Sequence, residues 1–315
     1  MGGLIRTLGA RLLQAALVAL AVGVACFLMV RLLPGDMAYR VAAGRYGMDH
    51  VNTAAAEAVR AELGLDRPWW LQLGAWLGDL ARLDLGVSLV SGDRVVEELA
   101  VYLGHTLLLS VAALVMSALL GPPLGVLLAL RPGSVADRAG MAAGAVLRAV
   151  PAFVIGLVLM LVFAVRLGWL PAAGVGGWQE VVLPAATLAI GLAAVSSRVA
   201  RDAMVAVARA PYLSFARTKG LPEGAVIRRH ALRNAAVPVA AYLGIQLVTL
   251  VEGMVIVETL FAWPGIGHAL VHAVVARDVP MVQGTALAMG LIFVALNAVV
   301  DLACLLIDPR RRGAA

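Results

Sequence analysis

Long apolar runs alternate with shorter polar segments along most of this chain. The runs cover residues 12–30, 106–130, 141–165, 182–195 with an amphipathic continuation to about 208, 235–257 and 281–307. Crossing the hydrocarbon core as a helix takes about 20 apolar residues. Because the bilayer centre offers no water to backbone N–H and C=O groups, such runs must be helical. The pattern therefore predicts an all-α protein, a polytopic membrane helical bundle of about six transmembrane helices.

The composition supports a chain that is dissolved in lipid. Hydrophobic residues make up 62% of the sequence and charged residues only 14%, whereas a soluble domain carries about 25% charged residues. The mean hydropathy is +0.93. A soluble enzyme is excluded on this ground.

The placement of charge predicts an orientation. Segment 198–233 holds eight basic and two acidic residues, whereas segment 34–103 holds six arginines and ten acidic residues. By the positive-inside rule, the first of these segments and both termini are expected in the cytoplasm, and the second is expected outside. The formal charge of +6 is thereby explained by topology, without nucleic acid as a partner.

These observations divide the chain into three predicted regions. Residues 1–33 form a cytoplasmic N-terminus and the first transmembrane helix, which we interpret as an uncleaved signal-anchor and not a cleaved signal peptide. Residues 34–103 form an external, periplasmic segment. Residues 104–315 form the transmembrane core, which includes a cytoplasmic loop at 208–233.

The loop at 208–233 predicts two short helices joined by an elbow. Tyr212, Phe215 and Ala216 stand at helical spacing before the sequence Lys219-Gly220-Leu221-Pro222. Glycine suits the position after a helix and proline cannot continue it, so this sequence is a stop signal. Glu223 then begins the second helix. An arginine-rich elbow of this kind favours docking of another protein; the alternative is an amphipathic helix on an anionic membrane surface.

Ionisable residues within the apolar runs are candidates for a transport pathway. They are Arg148, Glu252, Glu258 and Asp301. An unpaired charge inside the membrane is energetically costly, so such residues are treated first as candidates for a functional role. The alternative is that they pair across helices and hold the bundle in register, which we favour for Asp301. Glu252 is the preferred candidate for lining a polar path, and Glu258 and Arg148 are further candidates.

The sequence contains no recognisable catalytic or nucleotide-binding motif. A P-loop needs a Gly-Lys-Ser/Thr run, but Lys219 is the only lysine and is followed by Gly220. Neither a zinc-protease HExxH motif nor a Gly-x-Ser-x-Gly nucleophile elbow occurs. His268 and His272 would share one helix face, yet no carboxylate follows at ligand spacing, so they are weak metal candidates. The chain is expected to be a non-catalytic subunit without a cofactor or metal of its own.

Several motifs together resemble one family. The stretch from Tyr212 through Ala216 and Gly220 to His230 and the residues 231–238 is similar to the cytoplasmic coupling-loop signature of permease subunits in binding-protein-dependent ABC importers. More narrowly, the chain resembles the first permease subunit of the dipeptide, oligopeptide and nickel branch. The further matching motifs are RLLPGD at 31–36, LGLDRP at 63–68, DLGVS at 84–88, ETLFAWPGIG at 258–267, RDVP at 277–280 and DPR at 308–310.

This resemblance implies a type I-like importer fold and a defined set of partners. They are a second homologous permease subunit in a heterodimer, two ABC ATPase subunits that bind ATP and Mg, and a periplasmic solute-binding protein. The family's coupling helix inserts into the ATPase, which assigns the elbow to Tyr212, Phe215, Ala216, Lys219, Gly220, Glu223 and His230. The family often has an acidic residue before the tyrosine, where this chain has Pro211; proline is compatible with a helix start.

The resemblance also implies a location and leaves the cargo open. Members reside in the bacterial inner membrane with many spans. The compact loop at 170–179 looks more like nickel or metal-chelate members than dipeptide members, so small peptides and metal chelates both remain. A self-sufficient secondary transporter or channel is the alternative function. A membrane enzyme is a third possibility, disfavoured by the missing catalytic motifs.

Overall fold

The structure is a computed structural model that describes residues 2–32, 35–46, 52–62 and 64–307. Within these residues the regular structure is helical, apart from one isolated bridge between Val87 and Arg94. The predicted all-α class is confirmed. The helices are α1 (Gly2–Leu32), α2 (Met37–Tyr46), α3 (Thr53–Glu62), α4 (Trp69–Ala81), α5 (Val95–Ala129), α6 (Val135–Ala149), α7 (Ala152–Leu159), α8 (Trp178–Ala208), α9 (Pro211–Thr218), α10 (Glu223–Ala225), α11 (Leu232–Gly253), α12 (Val255–Leu260), α13 (Ile266–Ala276) and α14 (Val279–Ile307).

Membrane-spanning helices occur where the hydrophobic pattern predicts them. Five described helices are long and apolar enough to cross a membrane, and the count becomes six if one bent pair forms a single span. The predicted number of about six therefore agrees with the structure. The five stretches are Gly9–Met29, Val95–Ala129, Trp178–Ala208, Glu223–Leu250 and Val279–Leu302.

The third predicted span is not continuous. The run at 141–165 is divided between α6 and α7, and these are bent by 97° at Val150 and Pro151. Val150 is extended, with φ −74° and ψ 127°, because the ring of a proline disfavours helical geometry in the residue before it. The prolines inside α5, α8 and α11 do not break those helices. After α7 the chain continues as a π-helical segment, Met160–Arg166.

The fifth predicted span also differs from expectation at both ends. The helix begins at Glu223 as α10, passes through the π-helical segment Val226–Ala231 and continues as α11. The separate second short helix that we expected is thus the first turns of this span. At the far end α11 stops at Gly253, so Glu258 lies in the short helix α12 and not in the long helix.

The chain divides into two compact units, with boundaries inside α5, between α12 and α13, and inside α14. One unit comprises residues 1–106 and 264–295. In it, Val95, Leu99, Ile266, Ala269, Ala273 and Met281 form a buried apolar cluster. Asp278 caps the start of α14 and accepts hydrogen bonds from the Ser88 hydroxyl at 2.5 Å and the Leu89 amide at 3.1 Å.

The other unit comprises residues 107–263 and 296–315, and α8 has contacts with α6, α7 and α11 within it. Its main apolar cluster includes Leu109, Leu183, Phe261 and Trp263. Gly121 and Gly125 permit a very close approach between α5 and α8. A Cβ added at Gly121 would lie 2.0 Å from the Ser196 hydroxyl oxygen. Two glycines four residues apart are a common device for close helix packing in membranes.

Candidate functional site

The elbow after α8 has an inner face that fixes it to the membrane-spanning helices. Pro211 occupies the first position of α9, where its missing N–H costs nothing, so the predicted tolerance of proline there is confirmed. Leu213 is 1% exposed and Ala216 is also buried. Both pack in a cluster that includes Met204 and Val226. Burial of this face holds α9 against α8 and the start of the next span.

The outer face of α9 carries aromatic and basic side chains. Phe215 is 61% exposed and Tyr212 is 43% exposed. The ammonium nitrogen of Lys219 lies 4.7 Å from the centre of the Phe215 ring, in cation–π geometry. Tyr212, Phe215 and Ala216 were predicted together from helical spacing, yet the structure places Ala216 on the inner face and the two aromatics on the outer face.

The turn after α9 is closed by backbone hydrogen bonds. The Gly220 amide donates to the Arg217 carbonyl at 2.9 Å, and the Leu221 amide donates to the Ala216 carbonyl at 3.4 Å. These two bonds define a Schellman motif, which requires a left-handed residue after the helix. Gly220 supplies it with φ +81°. The predicted stop signal is confirmed with its physical cause.

An ion pair bridges the turn from one helix to the next. Nε and Nη2 of Arg217 donate to the two carboxylate oxygens of Glu223 at 2.9 and 2.8 Å. The hydrogen bonds that Arg217 donates to Glu223, followed by the charge of that carboxylate, raise the pKa of Arg217 above its ordinary value. Such a bidentate pair fixes relative orientation as well as distance. Sequence reasoning selected Glu223 as a helix start and missed this pairing.

The π-helical segment beyond Glu223 extends the basic surface of the elbow. Arg228 and Arg229 are exposed, whereas His230 is half-buried and its carbonyl accepts a hydrogen bond from the Asn234 side chain at 2.8 Å. The sequence predicted that the fifth span begins at His230. In the structure that span begins at Glu223, and His230 lies within it. Exposed cationic and aromatic groups on an anchored turn can bind an acidic or apolar partner surface.

The candidate pathway residues occupy different surroundings. Arg148, in the last turn of α6, lines a cavity of about 240 Å³. Glu258 is fully buried in α12. The side chain of Glu252 lies outside the described part of the chain, so its role stays a prediction. Asp301 is half-buried in α14.

Sequence reasoning missed a polar residue in the same cavity. Gln246 of α11 is 3% exposed and donates from Nε2 to the Leu192 carbonyl at 3.0 Å. Its Oε1 is buried and has no hydrogen-bond partner among the described residues. The signal in the sequence was a single amide within the apolar run at 235–257.

An ion pair between the buried Asp137 of α6 and Arg201 of α8 was also missed. Nε and Nη2 of Arg201 donate to Asp137 at 3.0 and 2.7 Å. Asp137, 2% exposed, also accepts from the Gly133 amide at 2.7 Å. Arg201 had entered the sequence reasoning only through its charge.

The two histidines of α13 are adjacent as predicted. The rings of His268 and His272 have centroids 4.4 Å apart. Burial, and then the nearby His272, lower the pKa of His268. No group of three metal-binding side chains occurs among the described residues.

Comparison with known proteins identifies relatives over nearly the whole chain. The glutathione transport system permease protein GsiC of Pectobacterium atrosepticum is 39% identical over 293 residues, which cover 93% of this chain and 94% of that protein. GsiC of Salmonella choleraesuis is 38% identical over the same length. GsiC of Escherichia coli is 38% identical over 291 residues, 92% of this chain and 94% of the relative.

Solved structures share the fold at low sequence identity. The MetNI methionine ABC transporter, in inward-facing conformations, matches with a TM-score of 0.55 at 20% identity, over 67% of this chain and 96% of that chain. An amino acid ABC transporter with histidines matches with a TM-score of 0.53 at 17% identity, over 66% and 94%. These likenesses support the predicted importer-type permease fold.

The family assignment follows from the sequence matches. Residues 121–313 match the family described as binding-protein-dependent transport system inner membrane component. Its members are non-catalytic membrane subunits. The chain therefore belongs to this family, as a membrane-spanning permease of the peptide and nickel branch of bacterial ABC importers.

Proposed function

We propose that the loop at 208–233, which contains the elbow, is the surface through which separate ATPase subunits drive this permease. The observation that carries the proposal is the division of α9 into two faces. Leu213 and Ala216 are buried, whereas Phe215 is 61% exposed. An exposed aromatic on a rigid support is a typical anchor for a protein interface.

The proposed orientation places the elbow and both termini in the cytoplasm, where the ATPases would be. Support comes from the charge of segment 198–233, eight basic against two acidic residues. Arg217, Lys219, Arg228 and Arg229 are all exposed in the structure. Exposed cations also attract anionic lipid, so a membrane-surface role for α9 is the competing interpretation.

The complex that we propose contains this chain, a second homologous permease, two ATPases and a solute-binding protein. Membership of the family implies ATPase and binding-protein partners; the heterodimer and the two copies of the ATPase are our inference. ATP and Mg would be bound by the ATPases.

The proposed cargo is a small peptide of the glutathione kind. The relatives at 38–39% identity are named as glutathione permeases. Arg148, Glu258 and Glu252 remain the candidates for lining the path. Nickel or a metal chelate is the second candidate, favoured by the compact loop at 170–179 and by the paired rings of His268 and His272.

The test is ATP-driven uptake of labelled glutathione into vesicles that contain the complete transporter. Phe215→Ala should reduce co-purification of the ATPase and uptake by about tenfold or more, as expected for an interface anchor. Phe153→Ala is the matched control, because Phe153 is an exposed aromatic on α7, outside the elbow. Uptake without ATP, or with full activity in Phe215→Ala, would contradict the proposal, and uptake of labelled nickel in place of glutathione would replace the cargo.

A further inference from the structure

The cavity of about 240 Å³ lies where the α6–α7 bend meets α8 and α11. Its lining is apolar except for a few polar side chains: Arg148, Thr187, Tyr242, Gln246 and Thr249. Both threonine hydroxyls donate to carbonyls of their own helices, at 2.8 and 3.2 Å. The Arg148 guanidinium and the Tyr242 hydroxyl have no hydrogen bond or ion pair among the described residues. The cavity thus combines an apolar wall with unused donors.

Gln246 supplies an unused acceptor with a fixed orientation. A carbonyl oxygen can only accept, so the amide group that faces the Leu192 carbonyl at 3.0 Å must be the NH2. Oε1 is consequently directed elsewhere and remains buried without a partner among the described residues. Buried polar groups in native proteins are nearly always hydrogen-bonded. Oε1 itself is closed to solvent, so a donor from outside the chain reaches it through a small rotation of the Gln246 amide toward the cavity that this side chain lines.

The bend places the start of α7 and the Arg148 side chain at one side of the cavity. Ala152, the first residue of α7, lines the cavity together with Arg148. The first amides of a helix carry a partial positive charge and favour anions. Arg148 stands in the last turn of α6, where a cation is stabilised by the negative helix end. Arg148 is also exposed, so its charge is tolerated and its donors stay available.

We propose that this cavity is a subsite for one carboxylate-bearing residue of the transported peptide, with the carboxylate at Arg148 and an N–H of the peptide donating to Oε1 of Gln246. The proposal rests on the function proposed above and deepens it. Drug-sized ligands occupy pockets of about 300–1,000 Å³, so the cavity suits one residue and not a whole tripeptide. A weak, partial site of this kind permits both binding and release during passage.

The test measures binding to the solubilised transporter without its binding protein, so that selection by that protein does not contribute. Labelled glutathione and its diethyl ester are the probes in equilibrium dialysis, because esterification removes the carboxylates and keeps the peptide N–H groups. Arg148→Gln and Gln246→Leu remove the two proposed contacts, and Arg148→Lys retains the charge. Arg166→Gln and Gln179→Leu make the same two substitutions outside the cavity and serve as controls. Assembly of each complex is checked by gel filtration.

Loss of one charge-assisted hydrogen bond should weaken glutathione binding by about ten- to a hundredfold in Arg148→Gln. Arg148→Lys should recover part of that loss, Gln246→Leu should weaken binding of both probes, and the controls should bind like wild type. Equal binding of the acid and the ester by wild type, or unchanged binding in both cavity variants, would overturn the subsite. If wild type then still imports glutathione with ATP, the proposed function stands. Acid-specific binding without ATP-driven uptake would keep the subsite and overturn the function.

Discussion

Gly125 of α5 lies so close to Ser197 of α8 that a Cβ at position 125 would be 2.0 Å from the Ser197 carbonyl oxygen. That oxygen belongs to a helix backbone and cannot rotate away as a side chain would. The two helices can approach to this distance only because residue 125 has no side chain.

Gly125→Ala should therefore destabilise the permease. Overpacking in a close contact costs about 1–3 kcal/mol, and a backbone neighbour places this case at the upper end. The measurement is thermal unfolding and yield of the solubilised complex. Gly104→Ala is the matched control, because it lies in the same helix with no atom within 4 Å of the added Cβ. Equal stability of the two variants would contradict the packing argument.

Gly220→Val should impair coupling while insertion into the membrane is preserved. No atom lies within 4 Å of an added Cβ at Gly220, so the penalty is conformational: its φ is +81°. A left-handed conformation costs an L-residue about 1–2 kcal/mol, and more for a branched side chain. Gly224→Val isolates this cause, since Gly224 has equal space but no positive φ. We expect ATP-driven uptake to fall in the first variant only; a similar fall in both would refute the turn as the cause.

Exchange of the two charges in the Arg217–Glu223 ion pair should preserve part of the function of the elbow. Arg217→Glu and Glu223→Arg singly should each lower ATP-driven uptake, because like charges would then face each other across the turn. The double variant should restore part of the activity. Both side chains are partly exposed, so the single-variant defect should depend on salt. Without such rescue, the pair has no role in the shape of the elbow.

Asp137→Asn should reduce stability more than Asp202→Asn, although both carboxylates bind Arg201. Asp137 is buried, whereas Asp202 is 59% exposed. Asp137→Asn removes the charge of a buried carboxylate that accepts two hydrogen bonds from Arg201, whereas an exposed pair such as that with Asp202 contributes little to stability. Thermal unfolding of the two variants gives the comparison, and a larger effect of Asp202→Asn would contradict this interpretation.

The spans could be predicted because lipid imposes one rule along the whole chain: enough consecutive apolar residues to cross it. The break at Pro151 could not be predicted, because prolines also occur inside α8 and α11 and do not break those helices. Whether a proline bends or ends a helix depends on which neighbours satisfy the freed carbonyls. Those neighbours are set by tertiary packing, which the local sequence does not specify.

The turn of the elbow was predictable because its residues determine local geometry. The buried contacts behind it were not predictable. Proline, glycine and a following proline determine local geometry, so the helix and its stop could be read directly from sequence. Leu213 as the inner anchor, Gln246 against Leu192 and Asp137 against Arg201 all depend on contacts between distant parts of the chain, 54 residues apart for Gln246 and 64 for Asp137. Periodicity within one segment does not specify such contacts.

The Arg217–Glu223 ion pair has a mechanical consequence. It joins the end of α9 to the first residue of the helix that becomes the fifth span, while Leu213 and Ala216 pack in one cluster with Ala231 and Ala235 of that span. The exposed ion pair mainly sets orientation, and the buried cluster provides the rigid contact through which a force applied at Phe215 would act on that helix. We expect the elbow to act as a short, stiff lever, so that a small rotation of an attached subunit becomes a tilt of a membrane helix.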